Sequence, residues 1–416
     1  MQLQVNGRDY AFPEKPLAVI CLDGTDYRYI EAAVLSGQAP FLAYLLECCG
    51  CAEVSSAMPS LTNPNNISIV TGCPPSRHGI CGNFFLDRQS GEAVMMNDPA
   101  FLRAGTILAA FARAGARVGA VTAKDKLRAL LGHELEGICF SAENAASTYL
   151  DFSAEAGVGN GPMRATDFVG APEPDVYSAD VSLFVLRAGA ALMQDWRPDI
   201  LYLSTSDFIQ HRHAPGTMEA NTFFALLDPW LRRLDELGAD LVITADHGMN
   251  AKTDEAGRPN CVFLGWLLDD LLGPGRARVI LPITDPYVLH HGSLGGFAGI
   301  YLPDDILRDG ARRAELEHVL SGQDGVEAVL TRGKACELYD LPPDRTADLV
   351  VLASPGAVLG DTPMRHDLGG IDWPLRSHGG PGESRVPMIT NRRGNIPSDI
   401  RHNYDAFALG LNRPDL

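Results

Sequence analysis

Ile200-Leu-Tyr-Leu-Ser-Thr-Ser-Asp207-Phe-Ile-Gln-His211 is the stretch that decides the fold. Its apolar run is too short for a helix and rich in β-formers. It closes on small hydroxyl residues and a carboxylate, as a strand buried on both faces of a sheet does. Leu17-Ala-Val-Ile-Cys-Leu-Asp23, Val118-Gly-Ala-Val-Thr122 and Leu241-Val-Ile-Thr-Ala-Asp246 read the same way. Between them, residues 181–196 and 228–237 carry apolar side chains at helical spacing. The expected fold is α/β, a mostly parallel sheet covered by helices on both faces. In such sheets ligands bind beyond the carboxyl ends of the strands, where Asp23, Asp207 and Asp246 stand.

The chain has 416 residues, 46% of them apolar, enough for one large domain and a smaller one around a sizeable core. A formal net charge of −18 argues against a nucleic-acid binder or a polybasic membrane anchor, so an anionic substrate must be held by local cations. The first residues lack the basic-then-apolar pattern of a secretory signal and no apolar stretch reaches spanning length, so a cytoplasmic protein is expected. Nine cysteines, with Cys48, Cys49 and Cys51 clustered, show neither zinc-ribbon nor disulfide-framework spacing. They are expected to be reduced, mostly buried thiols. Composition leaves homo-oligomerisation open.

From residue 265 to 359 the pattern becomes a self-contained alternation. Strand-like runs at Gly299-Ile-Tyr-Leu302, Val326-Glu-Ala-Val-Leu330 and Asp348-Leu-Val-Val-Leu352 flank a helix around 311–320. A small α+β cap inserted into a core of 1–264 and 360–416 is expected. Residues 132–177, rich in Gly, Pro and Ala, read as a less regular excursion.

Asp207 and His211 lie four residues apart after a strand, and Asp246-His247 is an adjacent pair. Carboxylates and imidazoles of this mix suit zinc, with manganese or iron as alternatives. Singly, such an Asp is more often a helix cap and such a His a satisfied polar residue. His213 competes with His211, and His366 with His378. In Met58-Pro-Ser-Leu-Thr62-Asn-Pro-Asn-Asn66, Thr62 reads as the N-cap of a helix with Pro64 in its first turn. A hydroxyl there is also placed to attack an anion, because free N–H groups and the helix dipole favour negative charge.

As an ordered set, Asp23-Gly24, Thr62, Asn83, Asp207 to His211, Asp246-His247-Gly248-Met249 and His378-Gly379 resemble the alkaline phosphatase superfamily in its nucleotide pyrophosphatase/phosphodiesterase-like branch. Met58 to Gly72, Pro74-Pro-Ser, His78-Gly-Ile-Cys-Gly-Asn83, Ser206 to His211 and Arg376-Ser-His-Gly-Gly380 are similar more narrowly to the phosphonoacetate hydrolase family. The resemblance implies two Zn²⁺ per chain. One would be held by Asp23, Asp246, His247 and the oxygen of Thr62, the nucleophile. The other would be held by Asp207, His211 and His378. Asn83 would bind a phosphoryl oxygen, and Thr62, His211 and His378 would also touch substrate. Ala245 departs from the Ser that many relatives carry but leaves the ligands intact. Cys73-Pro-Pro-Ser-Arg77 fits the sulfatase pattern C-x-P-S-R, yet Thr71-Gly72 precedes Cys73 and Thr62 holds the nucleophile slot.

Two Zn²⁺ against three carboxylates and an alkoxide leave the site nearly neutral. A substrate with both phosphonate and carboxylate needs another cation. Val121-Thr-Ala-Lys124-Asp-Lys126 follows a strand end at the same edge. Read from the residues, the two lysines are either a carboxylate clamp in an extended loop or a solvated helix start; the resemblance favours the clamp. It implies cleavage of the P–C bond of a small phosphonate to acetate and phosphate through a phosphothreonine, in phosphonate catabolism. The alternative is a nucleotide pyrophosphatase or phosphodiesterase with the same two-zinc site.

Overall fold

The computed structural model describes residues 1–152, 161–283, 293–366, 368–371 and 373–412. At its centre is a seven-stranded sheet. Its spatial order is Cys51–Ser55, Arg385–Thr390, Asp240–Thr244, Leu17–Cys21, Ile200–Ser204, Val118–Thr122 and Ile138–Ser141. The last five run parallel, Arg385–Thr390 joins them antiparallel, and Cys51–Ser55 pairs antiparallel to it at the edge. The four apolar runs read as strands are these central strands. These two strands went unread because Cys51–Ser55 alternates weakly and Arg385–Thr390 carries Pro387, which sits where that strand pairs with Cys51–Ser55 alone and its missing N–H costs no bond to Asp240–Thr244.

Alternation along each strand divides the core into two halves. Ala18, Ile20, Leu201, Leu203, Leu241 and Ile243 face one apolar cluster; Leu17, Val19, Ile200, Tyr202 and Val242 face the other. Helices Tyr27–Leu35, Pro40–Cys48, Asp180–Ala191 and Met218–Glu236 contribute to the first half. Thr62–Thr71, Ile107–Arg113, Asp125–Leu131 and Ala406–Asn412 contribute to the second. Helical spacing is borne out over 180–191, continued by a π-helical turn at Leu192–Trp196. The helix expected over 228–237 starts ten residues earlier, at Met218. No described helix is long and apolar enough to cross a membrane.

Within 265–359 a separate four-stranded antiparallel sheet is ordered Arg278–Ile280, Phe297–Tyr301, Leu349–Ala353 and Val326–Thr331, with helix Gly310–Ser321 packed on it. The irregular stretch 132–177 does supply a strand, Ile138–Ser141, to the central sheet; its middle, 153–160, lies outside the described residues. All nine cysteines are free, but only Cys21, Cys73 and Cys81 are buried, which corrects the expectation of mostly buried thiols. Cys48 ends helix Pro40–Cys48 and Cys51 begins the edge strand, and both are exposed.

Candidate metal centre

Register builds the site. Cys21 pairs with both Ser204 and Thr244, and Ser204 with Thr122, so four parallel strands end in one row. Asp23, Asp246 and Lys124 each stand two residues past that row and Asp207 stands three past it. Gly24 lets two of these loops touch. It sits at φ +71°, and a Cβ there would lie 2.8 Å from the Asp207 Cβ.

Two buried clusters result, Asp23/Asp246/His247 and Asp207/His211/His378. They adjoin through their histidines, because the His247 and His378 rings stack with centroids 3.5 Å apart. Neither competing histidine enters a described cluster. His213 Nδ1 approaches Glu219 at 3.8 Å, and His366 Nε2 accepts from the Asp361 N–H.

The imidazoles are oriented by the backbone. His211 Nδ1 lies 2.8 Å from the Arg376 carbonyl, His378 Nδ1 2.9 Å from the Ser60 carbonyl, and His247 Nδ1 3.0 Å from the Gly248 carbonyl. A carbonyl only accepts, so each Nδ1 donates its proton outward and each Nε2 is turned inward. Both Asp23 carboxylate oxygens are buried without a hydrogen bond, although His247 Nε2 stands 3.3 Å from one of them. Burial, then the charge of Asp23, holds the Asp246 carboxyl well above its ordinary range. Orphaned carboxylate oxygens beside inward-facing Nε2 atoms form a donor set that fits two divalent cations of the zinc type.

Asp207 behaves oppositely. Burial alone would raise its pKa, but Lys124 and His211 overcome that and hold it well below the usual range. Its Oδ1 accepts from Lys124 Nζ at 3.0 Å and its Oδ2 lies 2.9 Å from His211 Nε2. Lys124 Nζ is also 3.5 Å from Asp23, so this ammonium spans both clusters. Burial works to lower the Lys124 pKa, yet the carboxylates of Asp207 and Asp23 raise it. His247 is likewise pushed up to about 9 against its burial, chiefly by Asp246 and then Asp23. Burial and the two neighbouring imidazoles keep His378 well below its ordinary value.

Thr62 is the first residue of helix Thr62–Thr71, and Leu61, not Thr62, occupies the cap position. The expected capping role is therefore not taken up. The backbone at Leu61 is already extended, so the Thr62 hydroxyl is left facing the clusters, 3.4 Å from His247 Nε2. Asn83 is partly buried and its Nδ2 reaches the Ile283 carbonyl at 3.5 Å. Lys124 lies in an extended conformation just before helix Asp125–Leu131, but Lys126 belongs to that helix. The extended two-lysine loop is corrected to one loop lysine and one first-turn lysine, because Asp125 already begins the turn.

Several supporting residues escaped the sequence reading. Asn66 donates to Asp246 Oδ2 at 3.1 Å and accepts from the Tyr202 hydroxyl at 2.7 Å. Its position, one turn after Thr62 on the same helical face, was the available signal. Tyr202 reads as a core aromatic and is one, yet its hydroxyl braces the site from behind. Thr205 Oγ1 accepts from the Asp23 N–H at 3.0 Å.

A family model for type I phosphodiesterase / nucleotide pyrophosphatase matches residues 17–381. Phosphonoacetate hydrolase from Sinorhizobium meliloti 1021, solved with phosphonoformate, is 46% identical, with a TM-score of 0.92 over 99% of this chain and 99% of that chain. The same protein solved with phosphonoacetate gives 46% and 0.91 over the same shares. An inactive murine ectonucleotide pyrophosphatase / phosphodiesterase 5 in complex with AMP is 16% identical, with a TM-score of 0.63 over 97% of this chain and 96% of that one. That last likeness speaks for the fold alone.

Proposed function

The chain belongs to the type I phosphodiesterase / nucleotide pyrophosphatase family, and from that premise we propose that it hydrolyses the P–C bond of phosphonoacetate to acetate and phosphate. The observation that carries this reading is Lys124, whose ammonium stands within 3.5 Å of carboxylates from both clusters. A substrate with an anion at each end needs such a cation beside the phosphoryl-binding groups. The 46% identity to an enzyme solved with phosphonoacetate supports it further.

Two Zn²⁺, one held by Asp23, Asp246, His247 and Thr62 Oγ1 and one by Asp207, His211 and His378, would supply the charge that lowers the hydroxyl pKa and neutralises the phosphonate. Thr62 Oγ1 attacks phosphorus in line, forming an O–P bond as the P–C bond breaks. The bonding pair moves onto the methylene carbon and into the adjacent carboxylate. Lys124 and Lys126 hold that carboxylate and stabilise the charge that develops on it, more in the transition state than in the ground state. Asn83 and the N-terminus of helix Thr62–Thr71 bind phosphoryl oxygens. A proton taken up at carbon gives acetate, and water then cleaves the phosphothreonine, restoring the Thr62 hydroxyl and freeing phosphate. Both products can feed growth, a role in phosphonate catabolism. Residues 265–359 form a cap in this reading, supported by the Gly296 N–H donating to the His378 carbonyl at 2.9 Å.

Phosphate release from phosphonoacetate, measured with zinc beside cleavage of a nucleotide diester, tests the proposal. The family model itself favours a second reading, a nucleotide pyrophosphatase or phosphodiesterase using the same residues. Cleavage of the diester alone would establish the second and overturn the first.

A further inference from the structure

Lys252 and Glu383 are not ligands, yet both are buried and their charges pair at 2.8 Å. Asn250–Ala251, three residues after His247, forms a two-stranded antiparallel ladder with Arg376–Ser377, which leads into His378. The Lys252 N–H extends that ladder by donating to the Leu375 carbonyl at 2.7 Å. The loops carrying the two stacked histidines are thus laced together on one side.

Glu383 laces them on the other. Its carbonyl accepts from the Gly248 N–H at 2.7 Å, next to His247. Its Oε2 accepts from the Gly380 N–H at 3.1 Å, two residues beyond His378. Oε1 is shared by Asn250 Nδ2 at 2.6 Å and by Lys252 Nζ. Lys252 Nζ also donates to the Pro355 carbonyl at 2.8 Å, in the turn that follows strand Leu349–Ala353. Oε1 thus holds the His247 loop and Oε2 the His378 loop.

A buried ion pair is a poor source of net stability, because desolvating two charges offsets their attraction. Its use here is geometric. We propose that the Lys252–Glu383 pair is a positioning device that sets the separation of the two metal clusters by holding the His247 and His378 loops against each other. Lys252 neutralises and pins Oε1, which aims Oε2 at Gly380, so both residues are positioning rather than catalytic. The inference rests on the two-metal reading above.

The test compares full-length protein with Lys252→Met, Glu383→Gln and the double variant. Zinc stoichiometry, stepwise zinc affinities by chelator competition, thermal midpoint, kcat and KM are measured for each. Supporting residues around metal ligands typically change metal affinity 10- to 100-fold. Lys252→Met should therefore weaken at least one zinc by about tenfold or more and lower kcat more than it raises KM. The double variant removes the uncompensated carboxylate and should recover the thermal midpoint while the affinity loss persists. Affinity that returns together with the midpoint, or that never falls, would show a merely structural pair and overturn the proposal. Should Lys252→Met fail to fold, Glu383→Gln and the double variant carry the same comparison. Wild-type protein binding fewer than two zinc ions would overturn the two-metal reading, and this inference with it, by a separate observation.

Discussion

The two clusters are built from the same residue types and differ in who balances their charge. Asp207 is answered by the Lys124 ammonium at 3.0 Å, with His211 Nε2 at 2.9 Å beside it, and its carboxyl is held low. Asp23 and Asp246 share one imidazole between two carboxylates, and Asp246 is held high by burial and by its neighbour. The second cluster is therefore left with the larger demand for an added cation. It is also the cluster beside which Thr62 stands, so the nucleophile sits where added positive charge is needed most.

The largest effect that probes this contrast is on turnover. Thr62→Ala should lower phosphate release from phosphonoacetate by about 10⁴-fold or more while both metals stay bound, as metal analysis of the variant would show. Substantial residual turnover would mean a different nucleophile.

Removing the metals should separate the clusters by sign. Chelation should destabilise the protein by about 4 kcal/mol for each zinc removed if zinc is present at a thousandfold its dissociation constant. In the chelated protein at neutral pH, Asp246→Asn should then stabilise the fold and Asp207→Asn should destabilise it, each by on the order of 1–3 kcal/mol, read as opposite shifts of the thermal midpoint. The signs follow from linkage. The folded-state pKa of Asp246 lies above its unfolded value, so its contribution is present below the ordinary carboxylate range and is lost as pH rises through the raised value. That of Asp207 lies below, so its contribution is present above the ordinary range and is lost as pH falls. Shifts of the same sign in both variants would erase the distinction.

Lys126→Ala should lower kcat/KM for phosphonoacetate by roughly 10- to 100-fold, the worth of a charge-assisted hydrogen bond, and leave an aryl phosphate nearly unaffected. Equal losses on both substrates would remove Lys126 from the carboxylate clamp. The smallest expected effect is that of Tyr202→Phe, which withdraws the hydroxyl behind Asn66 and should cost about 1 kcal/mol of stability. It should slow turnover less than about tenfold.

Where four carboxyl-terminal strand ends meet was legible because buried parallel strands announce themselves as uninterrupted apolar runs. Asp23, Asp246 and Lys124 could be placed from the residue count past each run alone. Lys252 and Glu383 were not legible, since a charge in a polar loop looks the same whether it is solvated or buried. Asn66 lay between these cases, visible by helical spacing from Thr62 but with no local mark of the carboxylate it would meet. His213 and His366 could be set aside from the residues alone no better than His211 and His378 could be chosen.

By itself the sequence determined a mostly parallel α/β sheet with carboxylates at its strand ends, because strand period and apolar content are local properties. Only the tertiary structure decided which histidines join which carboxylates, which Nε2 atoms face inward, and that Lys124 spans both clusters. Those depend on strand register, backbone carbonyls from loops more than a hundred residues away, and shared burial, none of which is written in any one segment.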